Sequence, residues 1–320
     1  MAVVGLDLGG TKLAGAIFQT DGSIINKTTV MVNKQAGNEV SQMIIQLIRD
    51  QIDFAHANDM KIDSIGCSVP GIVNSSTGGV WAPNIPGWKD FPLTERIMEE
   101  IGEECQTFVL DNDRACSIMG EGWQGCARGC KNAIFLAVGT GIGAGIMTDG
   151  KILRGSSDIA GAIGWLALDQ PYKEKYTGYG CFEYSASGDG LIRVASELLK
   201  TNHAYSGVLR TLKFGELTTQ RIFEAYRQND TLADQVMKQA VLYWGMAVAN
   251  LVSLFNPEKI IFGGGVFGPA VIFLGDILSE AMKWAQPISM QQVKLEPSLL
   301  AGDAGLIGAG FLALTRTSGI

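Results

Sequence analysis

An acid closing an apolar run, followed at once by a Gly/Thr/Lys turn, is the first chemical feature of this chain: Asp7-Leu8-Gly9-Gly10-Thr11-Lys12. Backbone N–H groups in such a turn point inward and bind phosphate oxygens, and a Thr hydroxyl and a Lys ammonium add donors. Gly5 and Gly10 have the spacing of a P-loop, but Thr11 precedes Lys12 and a strand follows, so a P-loop is rejected. An ordinary hairpin accounts for the same residues. A second turn, Gly139-Thr140-Gly141-Ile142-Gly143, repeats the pattern. Two such turns on matching frames would clamp one polyphosphate. A third glycine cluster, Gly263-Gly264-Gly265-Val266-Phe267-Gly268, matches G-x-G-x-x-G between a strand and a helix, and Glu296 ends a later strand. That is the context of a dinucleotide site. Only 52 residues follow Gly268, fewer than a full dinucleotide domain needs. A nucleotide's adenosine and α-phosphate would use the same junction, and a dehydrogenase is kept only as an alternative.

Asp111-Asn112-Asp113 closes a strand and opens a helix. An Asp there would take a proton from an attacking hydroxyl, and the neighbouring Asn would orient that hydroxyl. Helix N-capping explains the same residues and is the commoner reason for them. Cys126 and Cys130 have helical spacing but no nearby His, so they read as ordinary thiols. The two histidines, His56 and His203, have no sequence partner, which argues against a His-based triad.

The elements that must hold these groups alternate. Strands are predicted over residues 2–7, 13–19, 23–31, 62–69 and 108–110, with helices over 38–56 and from Arg114 onward. The pattern restarts with strands over 133–138 and 144–148 and helices over 214–227 and 231–254. A strand over 259–262, a helix over 269–285, a strand over 292–296 and a helix over 304–315 follow. Residues 3–19 and 134–148 share one plan of apolar strand, Gly/Thr turn, apolar strand and Asp-Gly hairpin, an internal repeat that predicts two α/β domains of similar design.

Composition bounds the function. The 320 residues exceed what one core usually organises. With 47% apolar and 18% charged residues there is ample material to bury. The net charge of −7, from 25 basic and 32 acidic residues, disfavours nucleic acid or an anionic membrane surface as partner. The 41 glycines point to positive φ or close backbone approach to a ligand. No basic leader or long apolar stretch opens the chain. The run over 241–255 is broken by Asn250 and Ser253 and falls short of the ~20 residues of a membrane span. Six scattered cysteines without a C-x-x-C pair suit reduced thiols. A cytoplasmic protein is expected.

In order, DLGGTK at 7–12, PG at 70–71, PNIPGW at 83–88, DND at 111–113, VGTGIGAGI at 138–146, DGKILRG at 149–155, GCFE at 180–183 and FGGGV at 262–266 resemble the ROK family of bacterial sugar kinases and sugar-responsive repressors. The resemblance covers nearly the whole chain. It implies an α/β, two-domain actin-like ATPase (ribonuclease H-like) fold, with ATP, Mg²⁺ and a sugar in a cleft between the domains. The domains are expected at 1–114 plus 300–320 and at 115–299. On this resemblance Gly10, Thr11, Lys12, Gly139, Thr140 and Gly141 face the phosphates, Asp7 sits near the metal, and Gly264 and Gly265 approach the nucleotide. Asp113 matches the catalytic base. Asn84, Asn112 and Glu183 match hydroxyl-binding positions, with Gly71 beside the substrate. A homodimer is also implied.

Two departures matter. Where the family has Glu-x-Gly-His, this chain has Ala162-Ile163-Gly164-Trp165. Losing a partner for a buried hydroxyl costs ~1–3 kcal/mol, so Trp165 is expected instead to stack on a ring face or an aglycone. The family's zinc positions fall here on Glu174, Tyr176, Cys181 and Trp165, and one remaining thiol cannot build a tetrahedral site. No zinc is expected, and residues 169–179 are expected to be held by Tyr172, Tyr176 and Tyr179. The family's repressors carry a DNA-binding domain before this body; a phosphate motif at residue 7 leaves no room for one, so DNA binding is not expected. The reading is an ATP-dependent kinase phosphorylating a primary hydroxyl, O6 in a hexose, with Asp113 as base. The alternatives are a β-glucoside, amino sugar or cyclitol as acceptor, or a non-catalytic sugar sensor.

Overall fold

Alternate residues of the first strand serve two different cores. In β1 (Ala2–Leu8), Val4, Leu6 and Leu8 join a cluster with Val40, Ile44, Leu47 and Ile48, whereas Val3 joins Phe18, Leu306 and Leu314. This period of two is what a strand buried on both faces requires. The computed structural model describes residues 2–33, 35–213 and 215–317. Its internal contacts divide it into two units: the described parts of Met1–Gly129, Ile152–Ala160 and Ser298–Ile320, and those of Cys130–Lys151 and Gly161–Pro297.

In the first unit β1 pairs antiparallel with β2 (Lys12–Gln19), which pairs with β3 (Ile24–Met31). Helix α1 (Asn38–Ala57) leads to β4 (Ile62–Val69), parallel to β1. The short pair β5 (Ile72–Val73) and β6 (Val80–Trp81), helix α2 (Leu93–Ile101) and β7 (Phe108–Asn112) follow. Helix α3 (Asp113–Trp123) starts where β7 stops, giving the strand order β3-β2-β1-β4-β7. The strand read as ending at Leu110 thus runs on to Asn112. α2 was not legible beforehand, because its nine residues carry three buried positions, Leu93, Ile97 and Ile101.

The C-terminal helix (Ala304–Thr317) crosses this sheet at backbone contact. A methyl on Gly5 would lie 2.7 Å from Gly310 N, one on Gly66 2.0 Å from Ala309 O, and one on Gly308 1.7 Å from Cys116 O. The absence of side chains at these three positions lets β1, β4 and α3 meet one helix. α3 accordingly belongs to the first unit, whereas the sequence reading divided the chain after residue 114.

The second unit repeats the plan. β8 (Ala133–Val138) pairs antiparallel with β9 (Ile142–Thr148), which runs into β10 (Lys151–Ile152). Helices α4 (Cys181–Ala186), α5 (Gly188–Thr201), α6 (Thr219–Arg227) and the 25-residue α7 (Thr231–Phe255) come next. β11 (Lys259–Gly263), α8 (Leu274–Ala281), α9 (Pro287–Gln292) and β12 (Lys294–Pro297) close it in the order β10-β9-β8-β11-β12. Both sheets share one pattern of antiparallel and parallel neighbours. Trp244 of α7 is fully buried and donates to the Ala186 carbonyl at 3.0 Å. The expected helix over 214–227 begins only at Thr219, and Phe214 lies outside the described residues. The expected helix over 269–285 is a 3₁₀ stretch (Pro269–Phe273) before α8, and the strand expected from 292 begins at Lys294.

The glycine contacts predict opposite outcomes for two alanine substitutions. Gly66→Ala pushes a methyl into the C-terminal helix and should lower stability by about 1–3 kcal/mol. Gly122→Ala, in α3 with nothing within 4 Å of the added methyl, should raise it by about 0.5–1 kcal/mol. Urea denaturation followed by circular dichroism checks both; equal midpoints for the two variants would contradict the packing described.

Candidate active site

In the first unit the ends of β1, β4 and β7 gather the polar groups. Asp7 stands at the end of β1, where the start of the C-terminal helix abuts it: a methyl on Gly305 would lie 2.7 Å from Asp7 Oδ1. Burial raises the Asp7 carboxyl to about 6, opposed by the Ser68 hydroxyl and Lys12 and reinforced by Asp113 and Asp303. Ser68, at the end of β4, is fully buried. Its Oγ lies beside Asp7 without a hydrogen bond of good geometry. The Gly9–Lys12 turn is closed by Gly9 N–H donating to Lys12 O at 2.8 Å. Gly10, Thr11 and Lys12 are exposed, and Gly10 lies beside the Asn84 amide nitrogen.

Asn112 ends β7 and caps α3, its Oδ1 accepting from Ala115 N–H at 3.0 Å. Asp113 is the first helical residue, and its Oδ1 accepts Arg114 N–H at 2.9 Å. Burial pushes the Asp113 carboxyl upward against the pull of the Arg114 charge. About half of the side chain, 49%, remains open to solvent. Arg114 Nη2 donates to Gly71 O at 3.0 Å, which ties the Pro70-Gly71 turn to α3. Gly71 has φ of 92°, and a side chain there would strike Trp81 O, so glycine is required. Behind this row Asp111, 1% exposed, accepts both Arg154 guanidinium nitrogens, at 2.9 and 2.6 Å. The first unit thus brings together Asp7, Gly10, Thr11, Lys12, Gly71, Asn84, Asn112 and Asp113. Ser68, Asp111, Arg114 and Arg154 join them. Arg154 and Ser68 were missed because nothing in their local sequence marks them; Arg154 stands inside DGKILRG but meets its partner 43 residues away.

In the second unit Gly139-Thr140-Gly141 joins β8 to β9. Gly139 N–H donates to Gly141 O at 2.9 Å, and Gly139 O accepts Gly188 N–H at 2.7 Å. Thr219 Oγ1 donates to Gly188 O at 2.8 Å. Around this knot lies a cavity of about 630 Å³ whose walls include Thr140, Asp189, Thr219, Phe223, Arg227 and Gly265. A cleft of this size, lined by polar and apolar groups in near-equal measure, suits a polar cofactor-sized ligand. Gly264 (φ 85°) packs on Val138 O and hands the chain to Gly265. Asp189, Thr219, Phe223 and Arg227 were not read from the sequence, since α5 and α6 reach the glycine turns only in the fold. The G-x-G-x-x-G segment opens a 3₁₀ turn (Gly265–Phe267) rather than an α-helix, beside a sheet with antiparallel strands. The dinucleotide alternative therefore fails.

Glu183 of α4 has one oxygen engaged: Oε2 accepts Ile142 N–H at 2.7 Å, and burial raises its carboxyl against that bond. Gly164 abuts the Glu183 side chain, and the neighbouring Trp165 is 60% exposed. Of the three tyrosines expected to hold residues 169–179, Tyr176 is buried, whereas Tyr172 and Tyr179 are exposed. The anchor is polar as well as aromatic. Asp169 Oδ2 accepts from Lys173 Nζ and from Tyr176 OH, both at 2.6 Å, and Lys175 bonds Glu197, which also holds Tyr184 OH. The Arg193 guanidinium lies 4.0 Å over the Tyr179 ring. Among the described residues no group of three or more His, Cys, Asp or Glu could hold a metal ion. Burial pushes the Cys67 and Cys116 thiols upward.

The ROK family profile matches residues 3–316. The chain belongs to the ROK family. It is 34% identical over 315 residues to a glucokinase of Halalkalibacterium halodurans, covering 97% of this chain and 94% of that one. A ROK hexokinase from Thermus thermophilus superposes with a TM-score of 0.83 at 28% identity and 100% coverage of both chains. A ROK family glucokinase from Streptomyces griseus, solved with glucose and AMPPNP, gives 0.77 at 27% identity, covering 98% of this chain and 100% of its own. The two repeated sheets are accordingly those of the two-domain actin-like ATPase fold.

The Asp169 anchor carries a pH prediction for this ROK chain. Lys173 first, then Tyr176, hold the Asp169 carboxyl at about 2 rather than the ordinary 3.8. A folded-state value below the unfolded one stabilises fully above the unfolded pKa and is lost as pH falls through the folded one. Asp169→Asn should therefore lower the melting temperature at neutral pH and flatten its fall between about pH 4 and pH 2. An acid profile identical to that of the unaltered protein would contradict the anchor.

Proposed function

We propose that this ROK chain is an ATP-dependent sugar kinase that transfers the γ-phosphoryl group to a primary hydroxyl, O6 of a hexose-like acceptor. The observation that carries the reading is the Asn112–Asp113 pair at the start of α3, beside Gly71 and within electrostatic reach of Asp7. The named glucokinase and hexokinase relatives support it. Asp113 Oδ1 is held by Arg114 N–H, so Oδ2 is the oxygen that takes the proton from the attacking hydroxyl. Its raised pKa strengthens it as a base. Asn84 and Asn112 orient the acceptor in the first unit, and Glu183, in the second, keeps one carboxylate oxygen for a sugar hydroxyl.

The nucleotide lies in the 630 Å³ cavity of the second unit, with the amides of Gly139, Thr140 and Gly141 on its phosphates and Gly264 and Gly265 at its nucleoside end. Gly10, Thr11 and Lys12 are the first unit's donors for phosphate oxygens. The orphaned Ser68 hydroxyl beside Asp7 makes a hard-oxygen set that fits Mg²⁺. Asp7 would hold that ion directly or through water, and when bound it neutralises phosphate charge. Catalysis is then positioning plus charge neutralisation. No zinc enters this reading; the Asp169–Tyr176 anchor does the work a metal would. Trp165, exposed beside the turn that packs on Glu183, favours an acceptor with a face to stack on, which brings β-glucosides and amino sugars into the acceptor class; a cyclitol, whose hydroxyls are all secondary, is the alternative that would move the transfer to a ring hydroxyl. A cytoplasmic homodimer acting on small molecules, without nucleic acid or membrane partners, completes the proposal. No helix among the described residues is long and apolar enough to cross a membrane.

Asp113→Asn should reduce turnover at least ~100-fold, the lower end of what a general base contributes, while calorimetric sugar affinity stays largely intact. Substantial kinase activity in that variant would overturn the assignment of the base.

A further inference from the structure

We infer that Arg154 is a positioning residue for the acceptor end of the site, acting through Asp111 on the Asn112 amide; the inference rests on the kinase reading above. Arg154 lies on the excursion Ile152–Ala160, which leaves the second unit's sequence to pack in the first unit. The guanidinium fork meets both Asp111 oxygens, Nη1 to Oδ1 at 2.9 Å and Nη2 to Oδ2 at 2.6 Å. A planar fork fixes the plane of a carboxylate in a way an ammonium cannot.

That plane decides what Asn112 can do. Asp111 Oδ1 also accepts Asn112 N–H at 2.8 Å and Asn112 Nδ2 at 3.1 Å. At the other end of the amide, Asn112 Oδ1 accepts Ala115 N–H at 3.0 Å. A side-chain amide has two donors and two lone pairs. Here one of each is used inside the protein, so the amide cannot flip and one N–H with one lone pair is left for a ligand. Without Arg154, Asp111 is a buried carboxylate lacking its counter-charge. It then turns towards other donors and releases Nδ2. A flipped Asn112 offers donor where acceptor stood, and the hydroxyl over Asp113 loses its register.

The excursion has a second anchor, which serves as a control. Asp158 Oδ2 accepts Ser75 N–H at 3.0 Å and Ser75 Oγ at 2.9 Å; its charge also acts on Arg154, but it makes no hydrogen bond to Asp111 or Asn112. If Arg154 merely held the excursion in place, weakening either anchor would have the same kinetic effect.

The test compares unaltered protein, Arg154→Met, Arg154→Lys, Asp158→Asn and the double variant Arg154→Met/Asp111→Leu in steady-state kinetics with the best acceptor and MgATP. Arg154→Met should raise the acceptor KM by about tenfold or more and lower kcat, with the MgATP KM within about twofold. Arg154→Lys should recover part of the loss, and Asp158→Asn should stay near the unaltered protein. The double variant removes both charges and so restores the melting temperature without restoring the acceptor KM. An active unaltered protein whose Arg154→Met variant keeps its acceptor KM overturns the inference alone. So do equal effects of the Arg154 and Asp158 variants, or kinetic recovery in the double variant. Unaltered protein that turns over no acceptor overturns the kinase reading and the inference with it.

Discussion

The backbone of the C-terminal helix touches three other elements at once, and much of the first unit follows from that contact. Gly5 on β1, Gly66 on β4 and Gly308 on the helix itself remove the side chains that would hold these backbones apart. The helix start is thereby driven against Asp7, and α3 is drawn in beside it. Asp7, Ser68 and Asp113 then stand at neighbouring strand ends because one helix fixes β1, β4 and α3 together. Burial raises the Asp7 carboxyl, and the charges of Asp113 and Asp303 beside it add to that. An arrangement of that kind costs stability until cations or phosphate-bound metal offset it, which is characteristic of a site built for charged ligands.

The DND turn illustrates how few residues carry several roles. Asp111 is buried as a structural counter-ion, Asn112 caps a helix and keeps half of its amide for a ligand, and Asp113 offers a half-open carboxylate. The second unit solves its own problem in the same manner. Gly139 and Gly188 interlock to shape the cavity wall, and Glu183 braces the adjoining turn with one oxygen while the other stays free. Asp169 in turn ties Lys173 and Tyr176 together within residues 169–179.

The repeated strand–turn–strand plan was legible because both apolar runs and both Gly/Thr turns are local patterns. The strand-to-helix junction at Asp113 was legible for the same reason; the residues alone favoured capping there, and the structure gives the cap to Asn112. The cavity walls of the second unit were not legible. Asp189, Phe223 and Arg227 come from helices whose approach to Gly139 depends on tertiary packing. Nor was Arg154, since a guanidinium in a polar loop carries no mark of the buried carboxylate it meets. The three tyrosines of 169–179 were read together; Tyr176 is the buried one, with Tyr172 edge-on to it and Tyr179 under the Arg193 guanidinium. Spacing fixes which residues share an element; it does not fix which of them the packing covers.

The central claim is phosphoryl transfer from ATP to an acceptor held over Asp113. Its most direct measurement is ADP release from MgATP by the unaltered protein across a panel of hexoses, amino sugars, β-glucosides and cyclitols, with each product's phosphate position assigned by NMR. The account predicts acceptor-dependent ADP release and a phosphate on a primary hydroxyl. Sugar binding detectable by calorimetry with no ADP release for any bound acceptor would contradict it, and would make this ROK chain a sensor rather than an enzyme.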